Sequence, residues 1–364
     1  MKRLLCLLLC SLNALFLQAQ TKPDSTLSTL TFVDAANLQV INKYHKEPNY
    51  NRLPAQYKDK VRKEVWSLSL HSAGIAVRFR SNASTIGAKW KLKNNARMNH
   101  MAYTGIKGLD LYALVGNQWQ FVNSAIPNDT HNNERVILSN ADTTMREYML
   151  YLPLYDGVDS VSIGVNKGAK IEKTTSPVMM APKPIVYYGS SIAQGGCASR
   201  TGMAFTSILS RKVQTPLINL GFSGNGMIEA PIGEAMTEID AALYIVDCNP
   251  NAAADVIYER TIALVKQIRA KKPNTPILLV EGFLYETGYF NKAIHPIVQK
   301  KRTELTKAFQ TLQKAGVKGI TYCKADGFIG TDHEGTVDGI HPTDVGMERI
   351  AAGLLPVVKK LLGK

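Results

Sequence analysis

Between about Leu30 and Glu172, apolar and polar positions alternate in short runs. Ile75, Val77 and Phe79 fall on one face and Ala76, Arg78 and Arg80 on the other, which predicts a half-buried strand over Gly74–Arg80. Val65–Leu70, Ile86–Leu92, Leu109–Val115, Trp119–Val122, Tyr148–Leu152 and Ser160–Val165 read the same way. Clusters of Asn, Asp and Gly separate them, and many short strands of this kind predict a sandwich or jelly roll. The rhythm breaks between Lys173 and Pro184, where prolines and polar residues suit a connection between domains.

Beyond Pro184 the period changes. Continuous apolar, β-branched runs occur at Ile185–Tyr188, Leu217–Leu220, Ala242–Val246, Ile277–Val280 and Gly319–Tyr322. Helix-like stretches lie between them; Ala252–Lys271 places Ile257, Ile262, Val265 and Ile268 near one face. Strands apolar on both sides, alternating with helices, predict a five-stranded parallel sheet covered on both faces. In such a doubly wound α/β domain, ligands meet the carboxyl ends of the strands. Candidate chemistry is therefore sought after each run.

The first run leads into Tyr188-Gly-Ser-Ser-Ile-Ala-Gln-Gly195. Gly189 permits a tight turn from strand to helix, and the free N–H groups of a helix start can receive negative charge developing beside a serine nucleophile. A phosphate-cradling loop and a plain polar turn are the alternatives, although no Gly-Lys-Ser/Thr and no dinucleotide glycine spacing is present. The second run leads into Asn219-Leu-Gly-Phe-Ser-Gly-Asn225 and the third into Asp247-Cys-Asn-Pro-Asn251, both also readable as ordinary turns. After the fifth run, Asp338-Gly-Ile-His341 precedes a terminal helix over Val345–Leu362. A carboxylate three residues before a histidine can orient the ring through Nδ1 and free Nε2 for a serine. His333, preceded by Asp332, is the rival base.

Taken in order, these blocks resemble the SGNH, or GDSL-like, hydrolase superfamily. Gly189-Ser190-Ser191 is similar to its first block, which makes Ser191 the nucleophile by position, and Gly224 matches the oxyanion glycine of the second. Asp338 and His341 match the acid and base of the last. Ser190 stands where the first block usually has Asp. The third block departs from Gly-x-Asn-Asp. It resembles a subgroup with Asp-Cys-x-Pro-Asn, which implies Asn251 as the side-chain oxyanion donor and leaves Asn249 as the alternative. That subgroup also carries an N-terminal sandwich with a Gly-x-Asp-Leu-Tyr signature, here Gly108-Leu-Asp-Leu-Tyr112. The resemblance implies an exported carbohydrate esterase, with acylated carbohydrate or another small ester as substrate. A lipase or thioesterase and a non-catalytic carbohydrate-binding protein are the alternatives. Asp110 and Tyr112 read as structural residues at the domain interface. Glu281 is either a pocket residue or a solvated carboxylate.

Composition narrows the picture. The formal net charge is +14, but the lysines are scattered, which argues for solvated faces rather than nucleic-acid binding. At the N-terminus, Lys2 and Arg3 precede an apolar run from Leu4 to Leu17 and then Ala19, the pattern of a signal peptide over residues 1–20. The run falls short of the roughly 18 residues that a membrane span requires. Cys10 follows Leu9 rather than a small residue, which argues against a lipid anchor. The expected organisation is a sandwich over 21–178 and a hydrolase domain over 179–364, in a periplasmic or secreted protein. Cys197, Cys248 and Cys323 form no disulfide framework and sit at no zinc-ligand spacing. If the strands they follow are neighbours, as in a 2-1-3-4-5 order, Cys197 and Cys248 could come close enough to bridge, but two separate buried thiols are the favoured reading. No cofactor and no metal are expected.

Overall fold

A computed structural model describes residues 26–364. The signal-peptide segment and Cys10 lie outside the described residues.

The N-terminal region is an antiparallel sandwich. One sheet orders the strands Leu30–Asp34, Val158–Asn166, Ile86–Leu92 and Asn132–Leu138. The other orders Ile171–Glu172, Ala76–Ser81, Arg146–Tyr151, Leu109–Val115 and Gln118–Ala125, with Gln39–Ile41 paired onto Ala76–Ser81. Ile75, Val77, Phe79, Trp90, Leu111, Leu150 and Ile163 meet in the core between the sheets. Phe79 lies opposite Tyr148, and their rings stack at 5.4 Å. Such a cross-strand aromatic pair contributes about 0.5–1 kcal/mol.

The second domain is a five-stranded parallel sheet in the order Leu217–Gly221, Ile185–Gly189, Leu243–Asp247, Ile277–Val280, Ile320–Cys323. This is the doubly wound order expected from the alternation of runs and helices. The first two of those strands are buried at every position, because helices cover both faces. Helices Phe205–Val213 and Asp344–Leu362 pack on one face, with Tyr187, Phe205, Leu209, Met347 and Leu354 in its core. Helices Ala230–Glu238, Ala254–Lys271 and Ile294–Lys314 cover the other.

One expected strand is a helix. Lys63–Ser69 is α-helical, with Val65 and Ser69 buried. Val65, Leu68 and Ser69 also satisfy an i, i+3, i+4 stripe, and what decides is the partner surface. Leu53, Tyr57 and Val65 belong to the same core as Val186, Tyr188, Ile218 and Leu220. The segment thus crosses from the sandwich to the parallel sheet and serves as part of its helical cover. Among the described residues no helix is long and apolar enough to cross a membrane.

Candidate active site

The Ile185–Gly189 strand delivers its chain into a one-turn helix, Ser191–Gln194. Ser190 is the N-cap, fully buried, its Oγ accepting the Ile192 N–H at 3.3 Å. Its hydroxyl is engaged in starting the helix. Ser191 is the first helical residue, so its N–H has no intrahelical acceptor. Ser191 Oγ lies 3.0 Å from His341 Nε2, and His341 Nδ1 lies 2.8 Å from Asp338 Oδ2. A carboxylate only accepts, so Nδ1 carries the proton and Nε2 is the acceptor for the serine hydroxyl.

The Asp338 loop is largely self-made. Oδ1 of Asp338 accepts the N–H groups of Ile340 at 3.0 Å and His341 at 2.7 Å. Burial pushes the Asp338 carboxyl upward, but the His341 main-chain and ring bonds and the Ile340 N–H outweigh it. The group is held below the usual carboxylate range. Gly339 turns the loop at φ +84, and a Cβ there would collide with the Thr287 methyl. His333 plays no part in this chain; its Nδ1 pairs with Glu286 Oε2 at 2.7 Å.

Gly224 is exposed, at φ +68, with nothing within 4 Å of where its Cβ would stand. Among the described residues its N–H has no partner. Asn251 is half-buried and its Oδ1 accepts the Gly226 N–H at 3.1 Å, which orients the amide and leaves Nδ2 unpartnered among the described residues. Asn249 differs. Its Nδ2 is sealed from solvent, with no hydrogen-bond partner among the described residues.

Residues from the N-terminal half hold the loop around Gly224, and the strand pattern gave no sign of them. Arg62 donates to Glu229 at 2.6 and 3.1 Å and to Asn225 Oδ1 at 2.7 Å. Tyr155 donates to the Ser191 carbonyl at 3.1 Å and approaches Ser223 Oγ at 3.5 Å. Gln194 accepts the Ser223 N–H at 3.0 Å and donates to His71 Nδ1 at 3.1 Å. Burial, with Arg52 nearby, pushes His71 down to about 3, so the ring is neutral and Nδ1 is free to accept. Arg52 is buried and donates to the Leu68 carbonyl at 2.6 Å and to the Gly221 carbonyl. A further histidine, His100, stands on a sandwich loop with its ring 5.7 Å from that of His341.

Asp110 and Tyr112 lie where the two domains meet. Fully buried Asp110 accepts from Arg200 Nη1 and the Gly202 N–H, both at 2.8 Å, and the Tyr112 hydroxyl accepts from Arg200 at 2.7 Å. Glu281 is not solvated: it is buried and accepts from the Tyr322 hydroxyl at 2.6 Å and the Ala325 N–H at 3.1 Å. Cys197 and Cys248 are free thiols. They belong to the cores on opposite faces of the parallel sheet, which separates them although their strands are neighbours. Burial, with the Asp338 charge added, pushes the Cys197 thiol up to about 12, so it is no rival nucleophile. A cleft of about 440 Å³ beside Tyr44, Met180, Pro184 and Pro216 opens at the amino ends of the parallel strands, away from this chemistry.

Residues 182–359 match the model of the GDSL-like lipase/acylhydrolase family, and residues 30–171 match the GxDLY model, the N-terminus of SGNH-hydrolase-type esterases. A GDSL-like lipase candidate from Bacteroides ovatus is 38% identical, with a TM-score of 0.88 over 92% of this chain and 98% of that one. The chain belongs to the GDSL-like lipase/acylhydrolase family. Two further structures share the fold of this acylhydrolase. A salicylyl-acyltransferase from a tetracycline biosynthetic pathway is 17% identical, with a TM-score of 0.75 over 92% of this chain and 98% of that one. An acetyl xylan esterase from the rumen bacterium Butyrivibrio proteoclasticus is 10% identical, with a TM-score of 0.58 over 92% of this chain and all of the other. No match emerges among curated proteins.

Proposed function

We propose that this acylhydrolase is a serine esterase that removes O-acyl groups, acetyl above all, from carbohydrate. The observation that carries the reading is the continuous chain from Ser191 Oγ through His341 to Asp338. His341 Nε2 takes the Ser191 proton as the oxygen attacks the ester carbonyl. The N–H groups of Ser191 and Gly224 and the Asn251 amide take up the oxyanion, each worth on the order of 10²–10³ in turnover. The alkoxide leaves with the proton from His341, and water repeats the sequence on the acyl-enzyme. The acetyl xylan esterase among the fold neighbours supports a sugar acetate as substrate. The basic, apolar N-terminal pattern supports export to the periplasm or beyond.

The test is Ser191→Ala against Ser190→Ala, with p-nitrophenyl acetate and then acetylated xylo-oligosaccharides. Ser191→Ala is expected to lose on the order of 10⁴-fold or more in kcat. Ser190→Ala loses a helix cap, about 1 kcal/mol of stability, and keeps most activity. The reverse pattern overturns the assignment. A fluorophosphonate probe that fails to label Ser191 favours the carbohydrate-binding alternative.

A further inference from the structure

No spacing of cysteines and histidines along the sequence marks a metal site, yet three distant segments bring two histidines and a cysteine together. His100 comes from the loop after the Ile86–Leu92 strand, Cys197 from the turn after the Ser191–Gln194 helix, and His341 from the terminal loop. One ligand atom from each lies within 4.8 Å of the others. Tetrahedral zinc, with bonds of about 2.0–2.3 Å to nitrogen and sulfur, sets its ligand atoms roughly 3.3–3.7 Å apart. The gap to close is at most about 1.5 Å. His100 can close it, because its ring is half-buried at the rim and its only partner among the described residues is Asn99 Oδ1, at 3.1 Å. Cys197 is a buried thiol outside any disulfide.

We propose that His100, Cys197 and His341 form an inhibitory site for a borderline-soft divalent cation, zinc above all. Two imidazoles and a thiolate are the donor set such an ion prefers, and a hard cation such as Mg²⁺ or Ca²⁺ does not. Binding releases the thiol proton to solvent, since a coordinating thiol is deprotonated by the metal itself. Whichever ring nitrogen of His341 binds the ion, the triad is broken, because Nε2 serves Ser191 and Nδ1 serves Asp338. The sandwich domain thus supplies, through His100, a means of switching off chemistry carried out by the other domain. The inhibitory consequence rests on the esterase reading above, whereas the metal site itself does not.

The experiment reads binding and activity separately. Cobalt(II) is titrated into the full chain, and the near-ultraviolet thiolate-to-cobalt charge-transfer band is followed alongside zinc inhibition of p-nitrophenyl acetate hydrolysis. The wild type is expected to give the band and chelator-reversible inhibition. Cys197→Ser is expected to lose the band, and His100→Ala to weaken zinc inhibition by about 100-fold or more, at least the cost of losing an outer-shell partner. His100→Ala alters a loop tip, so it keeps the test valid if Cys197→Ser does not fold. No band in the wild type, a band that survives Cys197→Ser, or inhibition unchanged by His100→Ala overturns the proposal. If hydrolysis is absent while the band appears, the esterase reading fails and the metal site stands.

Discussion

Asp338 and His341 hold each other within one turn of chain, through the ring bond and the main-chain N–H bonds to Oδ1. The loop around Gly224 is held from outside: Arg62 reaches Asn225, Tyr155 reaches Ser223, and His71 steadies Gln194, which holds Ser223. One half of the centre is organised by its own short sequence and the other by a neighbouring domain. The acid–base loop should therefore fail through chemistry when altered. The loop around Gly224 should fail through geometry and stability as well.

The sharpest break falls on the self-contained half. In Asp338→Asn, the amide oxygen can still accept the Ile340 and His341 N–H groups, so the loop keeps its shape. The His341 ring loses the partner that fixes its tautomer. Turnover of p-nitrophenyl acetate is expected to fall by about 10⁴-fold, as for the equivalent change in a Ser-His-Asp triad, with a thermal midpoint close to wild type. Activity within tenfold of wild type would mean that another group orients the ring.

A smaller effect separates the two asparagines of the other half. Asn251→Ala removes an amide whose oxygen is anchored by Gly226 and whose nitrogen has no partner among the described residues. It is expected to lower kcat by about 10²–10³-fold with little change in KM. Asn249→Ala deletes a side chain whose nitrogen is sealed in the protein, and is expected to change stability more than turnover. If Asn249→Ala costs more kcat than Asn251→Ala, the roles exchange.

The same contrast explains what could be read from the chain. The parallel sheet and the Asp338–His341 pair were legible because their information is local: continuous apolar runs, and two groups three residues apart. The helix over Lys63–Ser69 was not, because Val65-Trp-Ser-Leu-Ser-Leu70 fits either period until the surface beneath it is known. That surface is the far domain's Tyr188 and Leu220. Arg52, Arg62, Tyr155 and His100 are invisible for the same reason. An arginine that donates to the Gly221 carbonyl looks, in sequence, like any surface arginine.

Stability against pH tests the brace at the finest scale. His71 has its folded pKa pushed down to about 3 by burial first and by Arg52 second. An unfolded histidine titrates near 6.5. Between those values the unfolded chain binds the extra proton, so this group makes stability rise with pH, by up to about 1.4 kcal/mol per unit. Asp247 has the opposite sign. Burial pushes its folded carboxyl up to about 7 against the bond from Tyr187, so the folded state holds the extra proton and stability falls as pH rises from about 4 to 7. From about pH 4 to 6.5 the two slopes oppose each other and largely cancel. In urea unfolding across that window, His71→Asn, whose oxygen can still accept from Gln194, is expected to unmask the falling slope. Asp247→Asn, which can still accept from Tyr187, is expected to unmask the rising one. If His71→Asn leaves the wild-type slope unchanged, His71 is not held neutral, and the brace from the sandwich to Ser223 is looser than its hydrogen bonds imply.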